Sequence, residues 1–478
     1  MPKTSPCVLG SALLFLASTA TAQATMTPLA TFGSGGWIAP GASPYVTIGN
    51  TERGLAYNPI TGNLVLVSRA NVTGVSNNVR VIDGMTGADL FGLDPTGIAG
   101  GTFAVNMVGV ADDGAIYVGN LSTAATTNFK VYKWDSEALG AVLPPTVVFD
   151  ALSGVTRTGD TFAVQGGLAT PAQFAAAGSN NVSASNFAVG SLDGLNTVTA
   201  FLSVPGTATA TNDYRLGLTF VDATTLIGTQ GATGRMTTFD TTTASASVVA
   251  SPVLGGASRR AMDYAMFGTR PVLAVIDTVS SIVTVLDMTD PNAPVALASA
   301  TATGGALTAN VNGTGSVAWG SVGTNSGILY AMNSNQGIQA FVVDLNPTAA
   351  VNLYGTGCDG MGLANTGTPS LGNATFQLDV VNVPAISPVA FLAFGSGVVN
   401  PGIDLTFLGM PGCSSYTSFD LGLYGSGPVV GGNSAFVLPI PIDPNLAGVT
   451  FASQGVALSL ATPFGLATSN GAELVFGF

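Results

Sequence analysis

Five charged residues open or directly precede strand-like phrases of the chain: Glu52 and Arg53, Arg215, and Arg260 with Asp263. Charged residues make up only 8% of the sequence, so a mixed-sign group gathered at one place would be notable. Such a group could bind a polar ligand. Its carboxylates could also do acid–base work, because a pair of carboxyl groups can cleave a glycosidic bond without help from histidine. The ordinary alternative is that these residues cap strands or pair between neighbouring structural units, since structural ion pairs also gather charges.

The rest of the composition removes competing chemistries. There is no histidine. That excludes Ser-His-Asp and Cys-His catalysis together with histidine-ligated zinc and haem. The net charge is −13 with 12 Lys and Arg in total, and Arg259-Arg260 is the sole basic run. Binding to a nucleic-acid backbone or an anionic membrane needs clustered cations along the chain, so neither partner is expected. The glycine-rich stretch GIAGGTF at 97–103 has no following Lys-Ser or Lys-Thr, so it does not read as a phosphate loop. Asp112-Asp113-Gly114 has the residues of a hairpin turn and no further Asp at calcium-loop spacing. No metal site and no cofactor are expected.

The elements that must position the five charges recur. The phrase RGLAYNPITGNLVLVSR (53–69) returns as VGVADDGAIYVGNL (108–121), LGLTFVDATTLIGTQ (216–230), DYAMFGTRPVLAVID (263–277) and GSVAWGSVGTNSGILYAMN (315–333). Each copy is an apolar strand, a turn rich in Asn, Asp, Gly or Pro, and a second apolar strand. Most are followed by a third strand, as in VRVIDGMTG and FKVYKWDSE. A fainter copy is expected within 162–204, and TPAQFAAAGSNNVSAS (170–185) reads as a surface loop that breaks the rhythm. Spacings of roughly 45 to 60 residues with three or four strands per unit predict a β-propeller of about six or seven blades over 25–350. The strand near 26–32 is expected to complete the last blade and cover its exposed edge. If the recurring phrase is the innermost strand, the five charges stand at the mouth of a central channel.

The text from ERGLAYNPITGNLVLVSR through VRVIDGMTG and GIAGGTFAVNMVGVADDGAIYVGNLST to FKVYKW resembles a family of bacterial extracellular propeller-like domains with no assigned function. The resemblance covers about residues 52–134 and implies a secreted β domain with no catalytic residues to transfer. After 345–347 the rhythm changes. YGTGCDG (354–360) and PGIDLTFLGMPGCSSY (401–416) resemble a C-terminal β domain common on secreted proteins of environmental bacteria, which implies a generic role in display, attachment or sorting. Its strand-like runs predict a small β-sandwich over 351–478.

The first 24 residues carry Lys3, an apolar run at 8–17, and small residues at Ala20, Ala22 and Ala24. That order is the layout of a secretory signal peptide. No later apolar run reaches the ~18 residues of a membrane span. Removal of the leader takes Cys7 with it and leaves Cys358 and Cys413, an even pair that reads as one disulfide in an oxidising compartment. The leading expectation is a secreted or cell-surface, non-enzymatic propeller that presents a binding surface for glycan or protein. The alternatives are a histidine-free hydrolase or lyase acting on extracellular polysaccharide, and a structural surface-layer component.

Overall fold

The computed structural model describes residues 24–152, 156–179, 185–191, 198–204, 212–305, 307–345, 349–443 and 446–477. The expected leader, apart from Ala24, and the junction at Asn346 and Pro347 lie outside them. The described residues form two compact all-β units, 24–345 and Ala349–Gly477. Among them no helix is long and apolar enough to cross a membrane.

The first unit contains six antiparallel sheets, numbered here in chain order. Their lead strands are Glu52–Tyr57, Phe103–Val110, Arg157–Gln165, Gly217–Asp222, Arg259–Phe267 and Gly315–Val322. In sheets 1 to 5 the lead strand is followed outward by three more strands in chain order. Sheet 6 has Ser326–Asn333 and Gly337–Asp344, and its outer edge is covered by chain from the N-terminal end. Thr25 faces Asp344 and Pro28 faces Phe341, while Trp37 and Ile38 continue along the same edge opposite Gln339 and Ile338. The strand expected near 26–32 thus joins the last sheet. Each lead strand lies against the next, and the sixth lies against the first.

Strand alternation explains this order. Successive side chains point to opposite faces, so a sheet with apolar residues at nearly every position needs a neighbour on both sides. Val65 and Val67 of sheet 1 pack with Ile116 and Val118 of sheet 2, whereas Leu64 and Leu66 pack with Tyr330 and Met332 of sheet 6. Leu273 and Val275 of sheet 5 pack with Ile227 of sheet 4, whereas Ala274 and Ile276 pack with Leu329 and Ala331 of sheet 6. Close approach of the lead strands requires glycine at two places. A Cβ on Gly54 would stand 2.7 Å from the Val108 nitrogen, and one on Gly217 would stand 1.9 Å from the Arg260 carbonyl oxygen.

Sheet 3 corrects one expectation. Within the stretch read as a surface loop, Gln173–Ser179 is the second strand of the sheet, with Ala175, Ala176 and Ala177 buried. Residues 180–184 lie outside the described set. The alanines are small because aromatic rings fill the space on either side. Phe174 and Ala176 pack with Phe129, Phe149 and Phe162, and Ala175 and Ala177 pack with Phe187 and Phe220. An Ala-rich run has little β-propensity of its own, so packing rather than local preference makes it a strand.

The second unit pairs a five-stranded sheet with a three-stranded sheet and adds a two-stranded ribbon. One core holds Leu378 and Val380 from the smaller sheet and Leu392, Ala457 and Ala472 from the larger. Cys358 and Cys413 are bonded to each other across a separation of 55 residues. A loop of that length stabilises by up to about 4 kcal/mol through the lost freedom of the unfolded chain. The described part of the first unit contains no cysteine. Calorimetry with and without reductant should therefore show one melting transition lowered and the other unmoved. A reductant-sensitive transition in a fragment ending at residue 350 would contradict this.

Candidate functional site

The lead strands surround a cavity of about 340 Å³. Every one of them contributes to its lining, through Leu55, Val108, Ala163, Leu218, Met262 and Val317 among others. At the end where the lead strands begin, four of the six are irregular at the same level. Glu52 faces Ser68 and Gly54 faces Val67, which leaves Arg53 as an extra residue. Register also shifts between Phe103 and Met107, between Thr158 and Thr161, and between Arg259 and Met262. The displaced segments carry Arg53, Asn106, Asp160 and Arg260. A bulge turns a side chain out of the alternation of its strand, which is how these four escape the sheet-to-sheet cores.

The displaced side chains form a chain of contacts. Arg53 Nε donates to Asn106 Oδ1 at 3.3 Å, and the Arg69 guanidinium donates to the same oxygen. Asn106 in turn donates to the Gly159 carbonyl. Arg157 grips Asp160 with two bonds of 2.6 and 2.7 Å, and Arg215 Nε reaches Asp160 Oδ2 at 3.1 Å. Arg69 is held over the Phe103 ring, 3.6 Å from its centre. Arg260 follows Arg215 around the series, and its buried Nε has no hydrogen-bond partner among the described residues. Three of the cavity-lining residues, Thr161, Leu216 and Ala261, directly follow Asp160, Arg215 and Arg260 in the chain. Asp160, Arg215 and Arg260 therefore stand beside the cavity at this end, next to residues that line it.

The balance of charge in this arc is unusual for the protein. Arg80, Lys130, Lys133, Arg235 and Arg270 each have an aspartate partner. In the arc, Arg157 and Arg215 are within ion-pair distance of a carboxylate, both of Asp160, whereas Arg53, Arg69 and Arg260 have none at that distance among the described residues. Arg53 is 4% exposed. Burial holds the Arg53 and Arg69 guanidinium groups below the usual arginine range, and the positive neighbours push the same way. Arg260 is lowered by burial and then by Arg215. Holding charges in this way costs several kcal/mol per ion unless an opposite charge and hydrogen bonds compensate.

Of the five residues singled out from sequence, the structure brings Arg53, Arg215 and Arg260 to this arc. Glu52 is fully buried and turned away, where it accepts bonds from the backbone nitrogens of Asn335 and Thr47 and from the Thr51 hydroxyl. It ties sheet 1 to the turn at Asn335 of sheet 6. Asp263 lies further along the cavity wall. Its carboxylate accepts from Thr219 Oγ1 at 2.8 Å, Tyr264 N at 3.0 Å and Trp319 N at 2.8 Å, which joins sheets 4, 5 and 6. The sequence reading missed Arg69, Asn106, Arg157 and Asp160. Hairpin register was the available signal for Arg69, since the end of a second strand returns to the start of the first, and Arg69 N donates to Thr51 O. The Asp112–Gly114 segment is a tight turn in which Asp113 accepts from Ala115 N.

No family model and no curated protein matches the chain. Similar solved structures include a DUF4623 family protein from Bacteroides eggerthii, 17% identical with a TM-score of 0.41, covering 63% of this chain and 71% of that one. The major Malassezia sympodialis allergen Mala s 1 is 13% identical with a TM-score of 0.37, covering 61% and 91%. A structure of a nidogen/laminin complex is 14% identical with a TM-score of 0.34, covering 53% and 82%. At these values the likenesses carry no argument about what this chain does.

Burial pushes the Asp263 carboxyl up to about 6, against the three hydrogen bonds that pull it down. The folded state therefore holds this proton more tightly than the unfolded chain does. Its stabilising share is complete below the ordinary value of 3.8 and is lost as pH rises through about 6. The penalty is at most about 3 kcal/mol. Asp263→Asn removes the titration. Between pH 3.5 and pH 7, denaturant unfolding should show the variant gaining on the wild type by up to that amount. Parallel pH profiles for the two proteins would contradict a buried carboxyl that resists ionisation.

Proposed function

We propose that the chain is a secreted, non-enzymatic six-bladed β-propeller with a C-terminal β-sandwich, and that it binds a glycan or a protein at the end of its channel beside the arginine arc. The propeller reading is supported by six sheets whose lead strands neighbour one another in series and return to the first. It is supported also by the strand Thr25–Pro28, which covers the edge that a ring of sheets would otherwise leave open. The secreted reading rests on the leader sequence, the disulfide and the resemblances of residues 52–134 and 354–478.

The observation that carries the binding reading is the convergence of five of the chain's 12 basic residues on one end of the cavity, from sheets 1, 3, 4 and 5. Packing alone does not call for it, because the apolar cores between sheets are complete without those side chains. One observation favours the hydrolase or lyase alternative: Asp263 lines the cavity and is shifted towards neutrality. Its oxygens are already engaged by three donors from the surrounding strands, so it reads better as a tie between sheets than as a proton shuttle.

The full exported chain should bind members of an immobilised panel of glycans and cell-envelope preparations. Arg53→Gln with Arg215→Gln should weaken that binding by tenfold or more. Failure of the wild type to bind any member would remove the reading. Turnover of a polysaccharide that is abolished in Asp263→Asn would replace it with the enzymatic alternative.

A further inference from the structure

Three arginines of the arc lack a carboxylate partner among the described residues, although the chain carries 25 acidic residues that could have supplied one. Arg53 is the most buried, and Nε is its one nitrogen with a described hydrogen bond. Arg69 is spent on Asn106 and on the Val105 carbonyl, both neutral acceptors. Arg260 has no described side-chain hydrogen bond or ion pair, although its Nε is buried. The turn before the lead strand of sheet 6 leaves room for it. Gly313 has a φ of +60°, and a Cβ there would fall 1.6 Å from Arg260 Nη1.

Such an arrangement is costly in the protein alone and favourable once an anion enters. Planar guanidinium forks match the geometry of oxyanions and give paired, charge-assisted hydrogen bonds. In a partly dehydrated recess those bonds are stronger than in water. The overall charge of −13 sets a limit on the ligand. A long polyanion would be repelled by the body of the protein, whereas one or two charges feel mainly the local arginines once salt screens the rest.

We propose that Arg260 and the neighbouring Arg215, at the end of the arc that runs through Arg157 on Asp160 to Arg53 and Arg69, form a binding site for a single oxyanion group, a carboxylate, sulfate or phosphate carried by a small molecule or by the acidic end of a glycan. This rests on the reading of the arginine end as the binding end. It goes beyond that reading in naming the charge and chemical class of what is bound.

The test is titration calorimetry of the full chain at about 0.1 M ionic strength with sodium sulfate, inorganic phosphate, glucuronate, a glucuronate-terminated oligosaccharide and neutral glucose. Saturable binding of at least one oxyanion and none of glucose is expected, and the sugar-borne and free anions separate the two sources. Arg260→Gln should weaken the binding at least tenfold without lowering the melting temperature, because among the described residues Arg260 has no side-chain hydrogen bond or ion pair to give up. Arg260→Lys keeps the charge and should bind at intermediate strength. It also provides a folded comparison should the glutamine variant unfold. Equal binding by wild type and both variants, or no saturable binding of any oxyanion, would overturn the proposal. Oxyanion binding without any hit on the glycan and envelope panel would sustain this site and remove the broader reading. Panel binding untouched by Arg260→Gln would do the reverse.

Discussion

Apolar side chains on both faces of each sheet are the constraint on which the first unit depends. A sheet of this kind has no face to offer water, and the hydrophobic driving force is lost wherever one is left uncovered. Sheet 1 shows the consequence within one strand: Leu64 and Leu66 turn to sheet 6 while Val65 and Val67 turn to sheet 2. The same division repeats at each junction between sheets, so no sheet can be removed without exposing two cores. It also explains why chain from opposite ends of the unit meets, with Thr25–Pro28 and Gly337–Asp344 sharing one sheet.

Packing the sheets this closely brings six lead strands together, and their backbones and side chains must be accommodated around the cavity. Two devices do this. Glycine admits the nearest approaches, as at Gly54 and Gly217. Bulges move Arg53, Asn106, Asp160 and Arg260 out of the regular alternation. The same irregularities collect polar side chains that belong to no core. Glu52 and Asp263 took the other course: both were drawn into the walls as acceptors for backbone donors, where they link neighbouring sheets. Charges next to one another in sequence, Glu52 and Arg53, thus end in different environments because one keeps the register and the other is the bulge.

Much of the fold was legible because it is written in strand alternation and turn residues. The five clear phrases correspond to sheets 1, 2, 4, 5 and 6, and Cys358 and Cys413, read as one disulfide, are the bonded pair. Sheet 3 was faint because Ala175–Ala177 carry no β-branched signal; their strand is made by the phenylalanines of neighbouring strands. The candidate site was legible only in part. Arg53, Arg215 and Arg260 precede recognisable strands, but Arg157 and Asp160 open the faint sheet. Asn106 sits inside a strand whose bulge depends on tertiary contacts. Nothing local distinguishes Glu52 from a rim carboxylate, since its partner Asn335 is 283 residues away.

The central claim is that the arginine arc is completed by an anion from outside the chain. Crystals of the full protein grown without sulfate or phosphate and soaked in selenate would test this directly through the anomalous signal of selenium. The account predicts a peak within hydrogen-bonding distance of Arg260. Selenate at other surfaces with the arc empty, or a carboxylate of the chain itself lying against Arg260, would contradict it.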